Sequence, residues 1–383
     1  MSEVTLPQAA AAPTRETSVA VETFGMPTGL EEDWRFTPTK LIQDLLDEQL
    51  GSVAAFVAGG QTLKIGEPVV LGACTLRLDK ALGLSPLAGA PFDRAGVVGW
   101  NNITSTLNVS VVSQDTEPVW IDVCATGEAS VAHVRITAAP DAQATIVLRH
   151  SGSGSLNETV EIRAERGANL TLVSVQEWDD KARHLATHQV SLGENAHVKH
   201  GVVTLGGSFV RLATGVALPE RRADVNMLGL YFTNANVHHE HRLFIDHIVQ
   251  QSKSRVAYKG ALQGADAHAV WVGDVGIEPE AYGTDSYEYN RNLVLGKGPR
   301  VDSVPNLEIH NGEIEGAGHA SATGRFDDEQ LFYLQSRGID PVAAKRLVVK
   351  AFYAELLNEM EIPQLTEHVL NLVDSHLTEG SLQ

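Results

Sequence analysis

The sequence first offers chemistry at a histidine set among small residues, Gly316-Ala317-Gly318-His319-Ala320-Ser321. Glycine frees the backbone there and the neighbours add no bulk. The His319 imidazole can therefore approach a metal ion or a second polypeptide without obstruction. The same residues also describe a plain surface turn that carries a histidine. A second candidate is the run Val237-His238-His239-Glu240-His241-Arg242-Leu243-Phe244-Ile245-Asp246-His247. Alternate side chains of a strand share a face, so His239, His241 and His247 fall together, and three imidazoles with a carboxylate suit zinc or iron. The competing reading is a polar face, or inward histidines bonded to backbone at a turn. A third candidate is the acidic stretch Asp274, Glu278, Glu280, Asp285 and Glu288, with Tyr282, Tyr287 and Tyr289 nearby. Paired carboxylates in a groove would make a carbohydrate-active enzyme, whereas a solvated acidic face accounts for the same residues.

Other classes are excluded by what is missing. There is no Gly-x-x-x-x-Gly-Lys-(Ser/Thr) loop, so the chain is not expected to hydrolyse ATP. With 29 Lys and Arg against 48 Asp and Glu, the net charge is −19, which opposes a nucleic-acid backbone or an anionic membrane as partner. No apolar run approaches the ~20 residues of a membrane helix. The two cysteines, Cys74 and Cys124, form no Cys-x-x-Cys pair. They read as small buried residues in a chain suited to a reducing cytoplasm.

These candidates need elements to position them. Residues 1–22, rich in Ala, Pro and Thr and lacking a basic start, read as a disordered tail rather than a signal peptide. Residues 23–98 form a helical or mixed region. Within it, Thr37 and Pro38 open an amphipathic helix through Leu41, Ile42, Leu45, Leu46 and Leu50, and Gly51 stops it. Residues 99–325 are β-rich. Inside them a turn residue, then alanine, then an alternating strand recurs at Ala142, Ala168, Ala196 and Ala223, at intervals of 26, 28 and 27 residues. A near-constant interval of that size marks stacked coils of a solenoid, a parallel β-helix with alternate side chains inside. The stretch around His319 reads as a glycine-rich bend between short strand pieces such as Leu307-Glu308-Ile309 and a helix. Residues 326–383 read as a separate helical bundle. Asp327 or Asp328 caps a first helix with Leu331, Phe332 and Leu334 inward, and Gly338 stops it. Asp340-Pro341 opens a second with Val348, Phe352 and Leu356 in a stripe. Pro363 opens a third with Leu365, Val369, Leu372, Val373 and Leu377.

Three segments resemble the C-terminal signature of the SufB/SufD family of iron–sulfur cluster assembly proteins: Pro305-Asn306-Leu307-Glu308-Ile309, Gly318-His319-Ala320-Ser321-Ala322-Thr323-Gly324, and Leu331-Phe332-Tyr333-Leu334-Gln335-Ser336-Arg337-Gly338-Ile339. The last is worded more like the SufD branch. Tyr258-Lys259-Gly260, Asn290-Arg291-Asn292-Leu293 and the Glu32-Asp33-Trp34-Arg35-Phe36-Thr37 segment extend the similarity upstream. The resemblance implies a right-handed parallel β-helix between helical ends, in a non-catalytic cytoplasmic subunit of the SUF complex. It implies a SufB-like partner, and a SufC-like ATPase docked around Phe332, Tyr333, Arg337 and Phe352. His319 falls on the SufD histidine that, with SufB, holds a nascent cluster, transient and shared rather than tightly bound by this chain alone. Two departures are that family members often carry cysteine where Ala317 stands, and that Ala281-Tyr282-Gly283-Thr284-Asp285 differs from the common Ala-Gln-Lys-Thr-Asp wording. Clusters are held mainly by thiolates, and no cysteine follows Cys124. The C-terminal half can therefore supply only nitrogen or oxygen ligands, which favours a SufD-type partner over the SufB-like scaffold. A strand edge able to meet a homologue could also meet its own copy in a homodimer.

Overall fold

The computed structural model describes residues 15–47, 49–127, 129–325 and 328–377. Residues 1–14 of the expected tail and Asp327, one of two expected helix caps, lie outside them. Short strands come first: β1 (Ser52–Val53), β2 (Ala55–Ala58), β3 (Gln61–Thr62), β4 (Pro68–Leu71) and β5 (Cys74–Lys80). Then follow β6 (Ser105–Val111), β7 (Gln114–Cys124), β8 (Ser130–Ala138), β9 (Gln143–Gly152), β10 (Ser155–Ala164) and β11 (Asn169–Trp178). The middle coils hold β12 (Arg183–Leu192), β13 (His197–Thr204), β14 (Phe209–Leu218), β15 (Asp224–Thr233) and β16 (His238–His247). The last hold β17 (Lys253–Leu262), β18 (His268–Ile277), β19 (Asp285–Val294), β20 (Arg300–Ile309) and β21 (Gly316–Arg325). From β6 onward, even strands stack in parallel in one sheet and odd strands in the other, a parallel β-solenoid of about eight coils.

The alanine repeat marks the corners of this solenoid. Just before each alanine stands a residue in the left-handed region: Asp141, Gly167, Asn195 and Arg222, and then Gln251 and Gly283 in two further coils. The N–H of each donates to a carbonyl of the next coil, as from Asp141 to Arg166 (2.9 Å), Gln251 to Tyr282 (2.7 Å) and Gly283 to Glu313 (2.8 Å). The next residue turns inward and is buried: Ala142, Ala168, Ala196 and Ala223, and then Ser252 and Thr284. Arginine and glutamine tolerate this conformation poorly, but the bond to the next coil holds them in it.

Interior positions are apolar along one side, as with Ile146, Ile162, Val190 and Val216. Where two rings meet, glycine makes room. Gly229 pairs with Tyr258, and Gly260 with Tyr231, so each ring lies across the glycine of the adjacent coil. A Cβ at either glycine would collide with the facing ring.

The outer faces are also covered. Helices α1 (Gln43–Leu46), α2 (Arg94–Asn101), α4 (Pro341–Glu359) and α5 (Pro363–His376) pack on them, while α3 (Asp328–Ser336) packs on α4. The long helix expected from Thr37 to Leu50 is instead a 3-10 turn, Thr39–Leu41, and the single turn of α1, because Asp47 is extended. Of its expected stripe, Ile42, Leu45 and Leu46 face inward and cluster with Trp34 and with Leu185 and Phe209 of the even-strand sheet, whereas Leu41 is 54% exposed. Arg15, in the expected tail, lies on this face too, its guanidinium 3.4 Å from the Phe244 ring centre.

The C-terminal helices do not stand apart as a bundle. Of these, α4 and α5 pack on the outer face of the odd-strand sheet, where Val173, Val203 and Leu230 meet Val349, Tyr353 and Val369. Lys259 donates to the Phe352 carbonyl (2.9 Å) and Lys199 to that of Glu359 (2.7 Å), so two lysines clamp α4 to the sheet. Asp340 caps α4 as expected, accepting from the N–H groups of Val342 and Ala343. In α4 the expected Leu356 is buried, together with Ala344, Val349 and Tyr353, while the expected Val348 and Phe352 are only partly so. Leu365, Val369 and Val373 of α5 and Leu377 at its C-cap are buried as expected, and Leu372 partly. No described helix is long and apolar enough to cross a membrane.

Replacing Gly260 with alanine should destabilise the chain by about 2 kcal/mol, the usual scale for overpacking. An unchanged urea midpoint would refute the ring-over-glycine packing.

Candidate functional site

The region around His319 is a strand, not a bend. Among the described residues, Gly316–Arg325 pairs with β19 on one side only, and β20 is likewise the last strand of the other sheet, so there the solenoid ends in two unpaired edges. Pro305, which has no N–H to give a ladder, sits in one of these edge strands. His319 pairs in register with Glu288 of the coil beneath. Each stands fourth after an inward or turn residue at the corner, so both lie in the interior column that earlier holds His200, Met227 and Val256.

At the open end the His319 side chain is 44% exposed and that of Glu288 2%, with 4.0 Å between Nδ1 and Oε1. Among the described residues, neither carboxyl oxygen of Glu288 has a hydrogen-bond partner. Burial, with the negative charge of Asp274 adding, pushes its pKa up to about 8. A polar file continues inward beside this pair. Ser321 donates to Ser303 (2.8 Å), Ser303 to Asn290 Oδ1 (2.8 Å), and Asn290 Nδ2 to the Tyr231 hydroxyl (3.0 Å).

The histidine run is β16, and alternation splits it. Outward, Glu240 accepts from Arg242 (2.6 Å), Arg211 (3.3 Å) and the Thr37 hydroxyl (2.8 Å), with His238 Nε2 3.1 Å away. Trp34 covers Arg211 at 3.9 Å, so the Trp34-Arg35-Phe36-Thr37 segment closes over this buried charge network. Burial works against ionising Glu240, yet His238, Arg211 and Arg242 hold its carboxyl well below the usual range. Inward, His239, His241 and His247 share a face as expected but do not converge. His239 meets Thr233 (3.1 Å), His241 meets Thr204 (2.9 Å), and His247 bridges Ser252 and Ser254 (2.7 and 2.9 Å). Burial pushes His241 down to about 3 and His247 to about 4, so these are neutral imidazoles within the coil stack.

The acidic stretch divides as well. Glu288 points into the solenoid, Asp285 bonds Arg255 (2.5 Å) on the outside, and Asp274 faces Arg15 (3.8 Å) on the other sheet. These carboxylates do not face one another across a groove as a glycosidase pair must.

Sequence reasoning missed a cluster deep in the middle coils. Ligand-type atoms of His150, Glu158 and His184 lie within 4.8 Å of one another, all buried. Their hydrogen bonds are those of a proton network. The Trp178 indole N–H donates to His184 Nδ1 (3.2 Å), which puts the ring proton of His184 on Nε2, facing Glu158 at 3.4 Å. A metal at Nε2 would need that lone pair while Nδ1 already serves as an acceptor. His150 Nε2 lies 2.9 Å from Glu158 and its Nδ1 3.1 Å from the Val175 carbonyl, and His188 meets His200 at 2.9 Å. Burial opposes ionisation of Glu158, but His150 holds its carboxyl well below the usual range, while burial takes His184 down to about 4. Alternation within β10 and β12 carried this signal, since Glu158, His184 and His188 all occupy inward positions of the repeat.

Phe332, Tyr333 and Arg337 stand on α3 and its C-terminal end. Phe332, expected inward, is 73% exposed and Tyr333 58%. Arg337 lies over the Tyr333 ring at 5.3 Å. Phe352 is half-buried on α4, packed into the helix–sheet interface with Lys259 5.2 Å from its ring centre.

With this geometry in view, residues 122–352 match the family model described as "SUF system FeS cluster assembly, SufBD core domain". An iron-sulfur cluster assembly SufBD family protein of Mycobacterium tuberculosis is 43% identical over 371 residues, covering 94% of this chain and 91% of that protein. The corresponding protein of Mycobacterium leprae is 42% identical over 372 residues, 94% of this chain and 93% of its own. The iron-sulfur cluster assembly protein SufD of Escherichia coli is 24% identical over 396 residues, 93% and 90% of the two chains.

Glu240→Gln should destabilise the chain by about 3 kcal/mol at neutral pH, by leaving buried guanidinium groups without their carboxylate. A depressed folded pKa adds stability above the ordinary glutamate value of 4.5 and loses it as pH falls toward the folded value. The gap in urea midpoint between the two proteins should therefore narrow below that pH, and a constant gap would contradict the account.

Proposed function

The chain belongs to the SufB/SufD family of iron–sulfur cluster assembly proteins, and from that premise we propose that it is a SufD-type, non-catalytic cytoplasmic subunit that pairs with a SufB-like scaffold and docks a SufC-like ATPase. One observation carries this reading: the interior column ends at the two unpaired strand edges with His319 exposed. Unpaired edges offer backbone donors and acceptors to strands of a second solenoid. Such an arrangement puts His319 at the subunit boundary. Cys74 and Cys124 lie before the middle coils, so sulfur ligands at this end come from sulfide or from the partner. The cluster is then a shared and transient cargo. Without a SufB-like chain, the same edges serve a second copy of this one.

The ATPase-docking surface is the exposed face of α3 with Phe332, Tyr333 and Arg337, extended by Leu347 of α4. Phe352 supports it indirectly, by seating α4 on the sheet. Because α4 is clamped through Lys199 and Lys259, a pull on the helices reaches the strands that carry those lysines. Nucleotide-driven movement of the ATPase can thereby bear on the open end.

Co-expression with SufB-like and SufC-like chains tests this. The three should copurify, and His319→Ala should leave the complex intact while lowering reconstituted cluster several-fold. Full cluster yield from that variant would reject the role of His319. Phe332→Asp should strip the ATPase from the complex with an unaltered unfolding midpoint, and retained ATPase would move the docking surface elsewhere.

A further inference from the structure

Glu288 differs from the other deeply buried glutamates. Glu158 has His150, Glu161 has His133 at 3.0 Å, and Glu240 has two arginines. The carboxyl of Glu288 is nearly as deeply buried, yet among the described residues both its oxygens lack a hydrogen-bond partner. Burying a carboxyl without a partner is costly, and such a group calls for an explanation, of which a bound ion is one. Space for the group is built in. Oε2 occupies the volume that a side chain on Gly273 would fill, since a Cβ there would clash with it. The group lies in register with His319, one coil in from the open end.

We propose that Glu288 and His319 together form a half-site for a divalent cation of the borderline class, ferrous iron in the assembly reaction, with one carboxylate oxygen and one imidazole nitrogen supplied by this chain. This rests on the reading of His319 as a ligand at the subunit boundary. Nδ1 of His319 and Oε1 of Glu288 are 4.0 Å apart, too far for a hydrogen bond. Metal–nitrogen and metal–oxygen bonds of about 2.0–2.2 Å span such a gap, and a bent angle at the ion requires only that the exposed imidazole swing slightly inward. Oxygen and nitrogen donors suit divalent iron, manganese, cobalt and zinc. Glu288 sits beneath the ion and His319 beside the opening, so the remaining coordination positions face outward, toward sulfide or a second chain.

The probe is Co2+, titrated anaerobically into the full-length chain and followed by its visible absorption and by the shift in thermal unfolding. Wild type should bind it, and Glu288→Gln and His319→Ala should each weaken binding at least ten-fold. Replacing an unpartnered carboxyl by a neutral amide should leave metal-free thermal stability equal or higher, whereas a merely structural glutamate would lose stability with Co2+ binding unchanged. Absence of Co2+ binding by wild type, or undiminished binding by Glu288→Gln, overturns the proposal. If in addition His319→Ala still lowers cluster yield in the complex, the assembly role of His319 stands without the glutamate. If cluster yield is also unchanged, both fail.

Discussion

One backbone constraint sets the geometry of the whole molecule: a corner residue in the left-handed conformation whose N–H reaches a carbonyl of the next coil. Repeated from Asp141 to Gly283, this contact locks successive coils without slip. A one-residue slip would turn every interior side chain outward. Because no slip occurs, positions far apart in sequence become neighbours in a column, and the chemistry of the interior is a matter of which residue stands at a given count from the corner. His200, Met227, Val256, Glu288 and His319 share one such column although nothing in the local sequence links them.

The interior is unusual in holding charge and imidazole as well as aliphatic packing. Such groups persist where they are satisfied. Glu158 lies against imidazoles, Tyr231 donates to Asn292 (2.6 Å), and the outward Glu240 lies among guanidinium groups under Trp34. Single ring or hydroxyl atoms without a partner also occur in the middle coils, as at His200 Nδ1 and His239 Nε2, but Glu288, next to the partly exposed His319, lacks a hydrogen bond on both carboxyl oxygens among the described residues. That carboxyl lies one coil in from the two strand edges at which the solenoid ends.

The solenoid was legible because Ala142, Ala168, Ala196 and Ala223 mark consecutive corners. The repeat seemed to stop there because Ser252 and Thr284 replace alanine in the next coils, although Gln251 and Gly283 keep the conformation. Carried on, the count would have placed Glu288 inside and under His319. The N-terminal coils were not legible, since β2 to β5 are short and antiparallel and lack the corner signal. Helix faces were misjudged for a physical reason: α4 buries Val349 and Tyr353 against a sheet held by Lys199 and Lys259, and sequence periodicity does not reveal where that sheet lies. Phe332 reads as core by its hydrophobicity, yet α3 presents it to solvent. The histidine run suggested a metal centre because sequence proximity hides the partition of β16 between an outer ion network and separate inner hydroxyl contacts.

The two ends of the stack are chemically unlike. At the far end the sheets finish in β3 and β4, antiparallel hairpin arms of two and four residues, the latter beginning at Pro68. At the other end stand two parallel strands of ten residues each. Among the described residues, then, long parallel edge strands stand at one end only. Were two such ends to pair, the short antiparallel arms opposite would offer no equivalent template for a third, so fibre growth would stop at two.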